Sequence, residues 1–174
     1  NPYPAKTLVG SEKISTRINK VRTAEQFKSP VLGFRNWRVD ADEGLLLSSM
    51  KATSWQPGVN LANTCEGHSH PVSGCHCGWY AYYRLSQAQN SSYSGILGAC
   101  AGAGNVELHE TGFRSSEVQI LALFFQDQEL KYKDKILTFS DIENIAARYK
   151  VPVFTEQIEF LYYVENISDN IVRM

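Results

Sequence analysis

The chain has no apolar run approaching the ~18 residues that a membrane-spanning helix requires. It also has no excess of charge of one sign. Lys and Arg number 17 against 18 Asp and Glu, a net of −1, so no global attraction to nucleic acid or to a membrane surface follows. The segment Gly102-Ala103-Gly104 lacks the spaced glycines and the Lys-Ser/Thr of a phosphate loop. Internal repeats and low-complexity tracts are missing as well. No secretory signal is visible, which makes a cytoplasmic location the expectation. The triplets Asn90-Ser91-Ser92 and Asn166-Ile167-Ser168 therefore carry no weight as glycosylation acceptors.

Cysteine is scarce but concentrated. Three of the four cysteines and three of the four histidines fall in the stretch Cys65-Glu66-Gly67-His68-Ser69-His70-Pro71-Val72-Ser73-Gly74-Cys75-His76-Cys77. Little in it is apolar enough to build a core. Thiolates and neutral imidazoles are the ligands zinc prefers, four to a tetrahedral structural site. Cys75 and Cys77 are one residue apart, between Gly74 and Gly78, which take turn conformations closed to other residues. Cys65 and His68 have the two-residue spacing of a ligand pair. The expected metal ligands are Cys65, His68, Cys75 and Cys77, with His70 and His76 as substitutes, holding one structural zinc. The spacing is not the familiar finger pattern of two short pairs a dozen residues apart. Two other readings stay open: a disulfide between Cys65 and Cys75, or no linkage. A nucleophilic Cys–His pair at Cys75, His76 and Cys77 lacks an orienting third residue.

A length of 174 residues suits one full domain with its own core. Abundant Tyr and Phe lean toward sheet. Residues 1–38 carry eight Lys or Arg against two Glu, a net of +6, which leaves −7 for the rest. The division expected is a basic irregular N-terminal arm over 1–30, with a short helix around 24–27, and a globular domain over 31–174. Val31–Val39 and Leu45–Met50 read as two strands of a hairpin, with Arg35 and Arg38 breaking the alternation and a bulge as its explanation. Trp55-Gln56-Pro57-Gly58 is a turn, and 59–64 an extended lead into the loop.

After Cys77, Trp79, Tyr82 and Tyr83 fall at helix spacing, which predicts a helix over 79–88. Its aromatic face suits a core better than a base-stacking platform. Residues 95–103 are apolar and small, which predicts an extended segment with another piece of backbone packed close. Gly104-Asn105 breaks that segment, Val106–Glu110 alternates strictly, and Phe113–Phe125 extends again. Ser140 with Glu143 matches a capping box ahead of a helix whose stripe is Ile142, Ile145, Ala146 and Tyr149. Pro152 puts Val151–Phe154 at a sheet edge. Residues 156–165 fit helix or strand equally. The fold class expected is α+β: one domain, mostly antiparallel sheet, two or three helices and a Cys/His zinc-type loop.

A set of residues spread over 33–154 carries a resemblance. It comprises Gly33-Phe34, Trp37-Arg38-Val39, Trp55, Pro57-Gly58, His68, Pro71, Cys75, Cys77-Gly78 and Tyr80-Ala81. It continues with Gly98, Gly104, Val106, His109-Glu110, Gly112, Phe113-Arg114, Tyr149 and Val151-Pro152-Val153. In these the chain resembles a group of small bacterial and phage proteins with an HxxPxxxCxCGxYA-like loop and a GxVxxHExGxR-like block. Ala103 stands where that pattern has Trp. The resemblance implies a fold unit and a metal loop, without an activity.

A second constellation is His109, Glu110 and Arg114 around a turn. In a strand Glu107 and His109 share one face and Glu110 points the other way. A His and a carboxylate can do acid–base work and Arg can hold an anion; equally, they can staple a turn. Three functions compete: a zinc-stabilised β-rich module binding a protein or nucleic-acid partner, an enzyme using the loop with His109 and Arg114, and a nucleic-acid binder using the basic arm. The sequence favours the first and leans against an enzyme.

Overall fold

Two long strands dominate, the first grown from a run of small and aliphatic residues and the second from a run with Phe, Val, Ile and Leu. β7 covers Ile96–Leu108 and β8 covers Gly112–Phe124, antiparallel along nearly their whole length. The computed structural model describes residues 25–26, 30–49, 53–62, 75–90, 95–126 and 129–171. The other strands tile against this pair. β2 (Val31–Asp40) runs antiparallel to β7, with Val31 opposite Gly102 and Trp37 opposite Ile96. β1 (Glu25–Gln26) continues along the same edge. On the far side of β8 lie β6 (Trp79–Tyr82), β5 (Val59–Leu61) and, in parallel, β11 (Val153–Phe154). β3 (Leu45–Ser48) forms the hairpin with β2, and β4 (Ser54–Trp55) adds to β3. β9 (Lys131–Tyr132) and β10 (Lys135–Ile136) make a separate small hairpin.

β6 also bridges β2 at Phe34 and Tyr82, so β2, β7, β8 and β6 close a ring of pairings. The ring is tight because its inner positions are small. A Cβ on Gly33 would stand 2.6 Å from the Ala81 Cβ and 2.7 Å from the Phe113 ring. One on Gly102 would collide with the same ring. The close backbone neighbour expected along β7 is found at Gly98, where a Cβ would meet the Ala122 carbonyl, whereas at Gly102 the close neighbour is the Phe113 side chain.

Helices cover both faces. α1 spans Leu85–Gln89, α2 Phe139–Tyr149 and α3 Gln157–Ile171. α2 buries Ile142, Ile145, Ala146 and Tyr149, the stripe its sequence spacing predicts, in the core with Trp37, Trp55, Phe113 and Leu123. α1 and α3 bury Leu85, Ala88, Phe160, Leu161 and Val164 with Phe34, Leu97 and Phe124 on the other face. Phe160 stacks on Phe124 with centroids 5.2 Å apart. The fold is thus the expected α+β architecture with a mostly antiparallel sheet. Among the described residues no helix is long and apolar enough to cross a membrane.

Several local expectations are corrected. Residues 79–82 are a strand, not the first turn of a helix; the aromatics pair with β8, and the helix starts only at Leu85. Gly104 does not end a strand. It takes φ +72 at a bulge between Ala103 and Val106, and the ladder resumes beyond it. The cap of α2 is Thr138, whose hydroxyl accepts from the Asp141 N–H while the Asp141 carboxylate accepts from the Thr138 N–H. Ser140 and Glu143 lie inside the helix. Residues 25–26 are sheet rather than helix. No bulge interrupts β2 at Arg35, whose register with β7 is regular from Val31 to Trp37.

Candidate functional site

The β7–β8 hairpin turns through Glu110 and Thr111, and the His109 N–H donates to the Gly112 carbonyl at 2.8 Å. Glu107 on β7 faces Arg114 on β8, and Arg114 faces Tyr80 on β6. These three side chains stand in one row across three strands, with His109 two residues beyond Glu107 on the same face. Glu107 is fully buried, with side-chain exposure of 0% against 10% for Arg114 and 27% for His109. A carboxylate so placed needs a fixed counter-charge. Arg114 Nη2 supplies it at 2.9 Å from Oε1. Arg114 Nη1 reaches the Cys77 carbonyl at 3.3 Å, which ties the end of the cysteine segment to the sheet.

His109 Nε2 lies 3.0 Å from Glu107 Oε1 and 3.3 Å from Arg114 Nε. One nitrogen cannot both donate to the carboxylate and accept from the guanidinium. Arg114 Nε always carries its proton and donates to Nε2, so Nε2 is the acceptor and the neutral ring holds its proton on Nδ1. Burial holds His109 below its ordinary pKa, with Arg114 acting in the same direction and Glu107 opposing. Tyr80 borders the ring at 6.3 Å between centroids, and its hydroxyl pairs with Thr111 Oγ1 at 3.1 Å. The second Glu107 oxygen, Oε2, is buried without a partner.

Of the second constellation, then, His109 and Arg114 are brought together. Glu110 sits exposed on the turn, and the carboxylate of the cluster is Glu107. The alternation Val106-Glu107-Leu108 carried that signal, since Glu107 shares its face with His109. Of the expected metal ligands, Cys75 and Cys77 are half-buried in the segment leading into β6, next to Gly78 at φ +93, and His76 is exposed. Cys65, His68 and His70 lie outside the described residues. Among the described residues no three His, Cys, Asp or Glu side chains are grouped to hold a metal ion. Cys100 is buried in the core, away from solvent. Two grooves are described, one over Arg38, Leu47 and Leu130, the other between Asp42, Lys135 and Arg148; neither includes His109. No protein-family model, no curated protein and no solved structure matches this chain.

Proposed function

We propose that this chain is a β-rich binding module whose Cys/His loop is a structural zinc-type clasp. One observation supports it above the rest: Arg114, already committed to Glu107, also donates to the Cys77 carbonyl. The segment carrying two of the four expected ligands is thereby held against the sheet. Cys75 and Cys77 are half-buried, as closed-site ligands are. A site with Cys65, His68, Cys75 and Cys77 would use four protein donors and leave no position open for substrate. The partner is a protein or a nucleic acid. Metal analysis of the purified chain tests the reading. One equivalent of zinc is expected, lost in Cys75→Ser and Cys77→Ser together with a large drop in Tm. Absence of metal, with both variants melting like the parent, ends it.

The alternative is an enzyme, and one feature favours it. His109 is held beside the Arg114–Glu107 pair, kept neutral, and partly open to solvent, which is the state of a general base. His109→Ala with unchanged melting and a lost biological activity would shift the assignment to it.

A further inference from the structure

Arg35 occupies an inward position of β2, in the row Gly33, Arg35, Trp37. A cation placed there is costly unless a counter-charge meets it. No carboxylate among the described residues does so. Arg35 Nη1 donates to the Tyr80 carbonyl, and the guanidinium carbon lies 4.9 Å from the centre of the Trp55 ring. Its Nε is buried with no acceptor. The Cys100 thiol is close enough to feel the charge, but burial pushes it up to about 12, so at neutral pH it stays protonated and supplies no counter-charge.

Further orphans surround the same ring. Trp37 and Trp79 pack edge-on against Trp55 at 5.3 and 4.7 Å, and each has a buried indole N–H without an acceptor. Ser115, the cross-strand partner of Trp79, is fully buried with an unpartnered hydroxyl. Every one of these groups can donate, and the three N–H groups can do nothing else. Buried donors almost always find acceptors. Four unmet donors, one of them on the guanidinium itself, describe an acceptor carrying negative charge that the described residues do not supply. Water would satisfy the donors and leave the charge uncompensated. Trp37 and Ser115 are sealed, whereas Arg35 and Trp79 are half-buried, so the cluster reaches solvent at the Trp79 end.

We propose that Arg35, Trp37, Trp79 and Ser115 form a binding site for a small oxyanion, a carboxylate or phosphate group that pairs with the Arg35 guanidinium. The site stands apart from the metal reading, because no loop ligand takes part in it. The chain's three tryptophans, Trp37, Trp55 and Trp79, all lie in the cluster, so intrinsic fluorescence reports directly on occupancy. The full chain is titrated with inorganic phosphate and, separately, with acetate, against chloride at matched ionic strength, and Tm is measured alongside. Saturation by one of the two, with a rise in Tm that chloride does not give, is the expected result and identifies the source. Arg35→Met should weaken that binding by about ten-fold or more, the loss expected of a charge-assisted bond. Ser115→Ala removes a single donor with little change of shape, Trp79→Phe removes one with a smaller ring left against Trp55, and each should weaken it several-fold; they keep the test valid if Arg35→Met does not fold. A parent that responds to neither anion beyond chloride overturns the proposal. So does unchanged affinity in both Ser115→Ala and Trp79→Phe.

Discussion

Two arginines of this sheet leave water in different company. Arg114 on β8 is 10% exposed and meets Glu107 across the strand pair, His109 beside it and the Cys77 carbonyl beyond. Arg35 on β2 meets a carbonyl and the face of Trp55, with no carboxylate among the described residues. The Arg114 charge is cancelled within the fold, so its cluster is a self-sufficient staple. The Arg35 charge is not cancelled by any carboxylate among the described residues, and the donors around it share the deficit. A buried pair contributes chiefly by being complete, because losing one member strands the other. A buried charge that no carboxylate among the described residues meets calls for an acceptor those residues do not provide.

The contrast predicts its largest effect at Glu107. Glu107→Leu or Arg114→Met leaves one full charge buried without its counterpart and should cost about 3–5 kcal/mol, a fall in Tm on the order of 10 °C for a chain of this size. The double replacement Glu107→Leu with Arg114→Met should recover most of that loss, since well-packed apolar groups replace buried pairs at little cost. Chemical denaturation of the four proteins closes the cycle. Losses that simply add would show that the two side chains act separately and that the staple does not exist. Because Arg114 also holds the Cys77 carbonyl, both single variants should expose the cysteine segment to faster thiol modification.

Arg35 also shows where the sequence was legible and where it was not. The α2 stripe and the β2–β3 hairpin followed from spacing and near neighbours, and the edge position of Val153 from Pro152, which has no N–H to give a ladder. The strand at Trp79–Tyr82 was not legible. Its aromatics fit helix spacing equally well, and what decides between the two is pairing with Gly112–Ser115, some thirty residues on. The bulge at Gly104 looked like a break because a positive φ ends a strand or kinks it, and only the partner's register tells which. Arg35 broke the alternation of β2 and invited a backbone explanation. The backbone is regular there, and the irregularity is chemical: a charge stands where an apolar residue belongs. Glu107 was visible as the face-mate of His109, yet the neighbouring Glu110 was the more obvious carboxylate. Cross-strand distance to Arg114, which spacing does not report, separates them.

A smaller effect is expected at Arg35 itself. Arg35→Met gives up a cation–π contact worth about 0.5–2 kcal/mol and one bond to the Tyr80 carbonyl, and it relieves the interior of an unpaired cation. The two nearly cancel, so stability without added anion should stay within about 1 kcal/mol of the parent. Denaturant midpoints in a weakly coordinating buffer measure it. A loss as deep as that of Arg114→Met would mean that Arg35 is as fully compensated as Arg114, and the distinction between them would collapse.

The smallest effect belongs to His109, and its sign separates two pictures of the Glu107 cluster. Burial and Arg114 hold the imidazole below its ordinary value of 6.5 in the folded chain. Below 6.5 the unfolded chain therefore takes up a proton that the folded chain resists. Linkage then gives a stability contribution that is complete above 6.5 and is lost as pH falls toward the folded value, beyond which it levels off. His109→Gln keeps a polar side chain beside Glu107 and Arg114 and removes the titration. The Tm difference between parent and variant should accordingly shift against the parent as the buffer is taken from about pH 7.5 to about pH 5. A shift in the parent's favour would mean that Glu107 outweighs burial and charges the ring. His109 would then be a second cation of the staple, with no lone pair to offer at neutral pH, and the general-base alternative would lose the one feature that favours it.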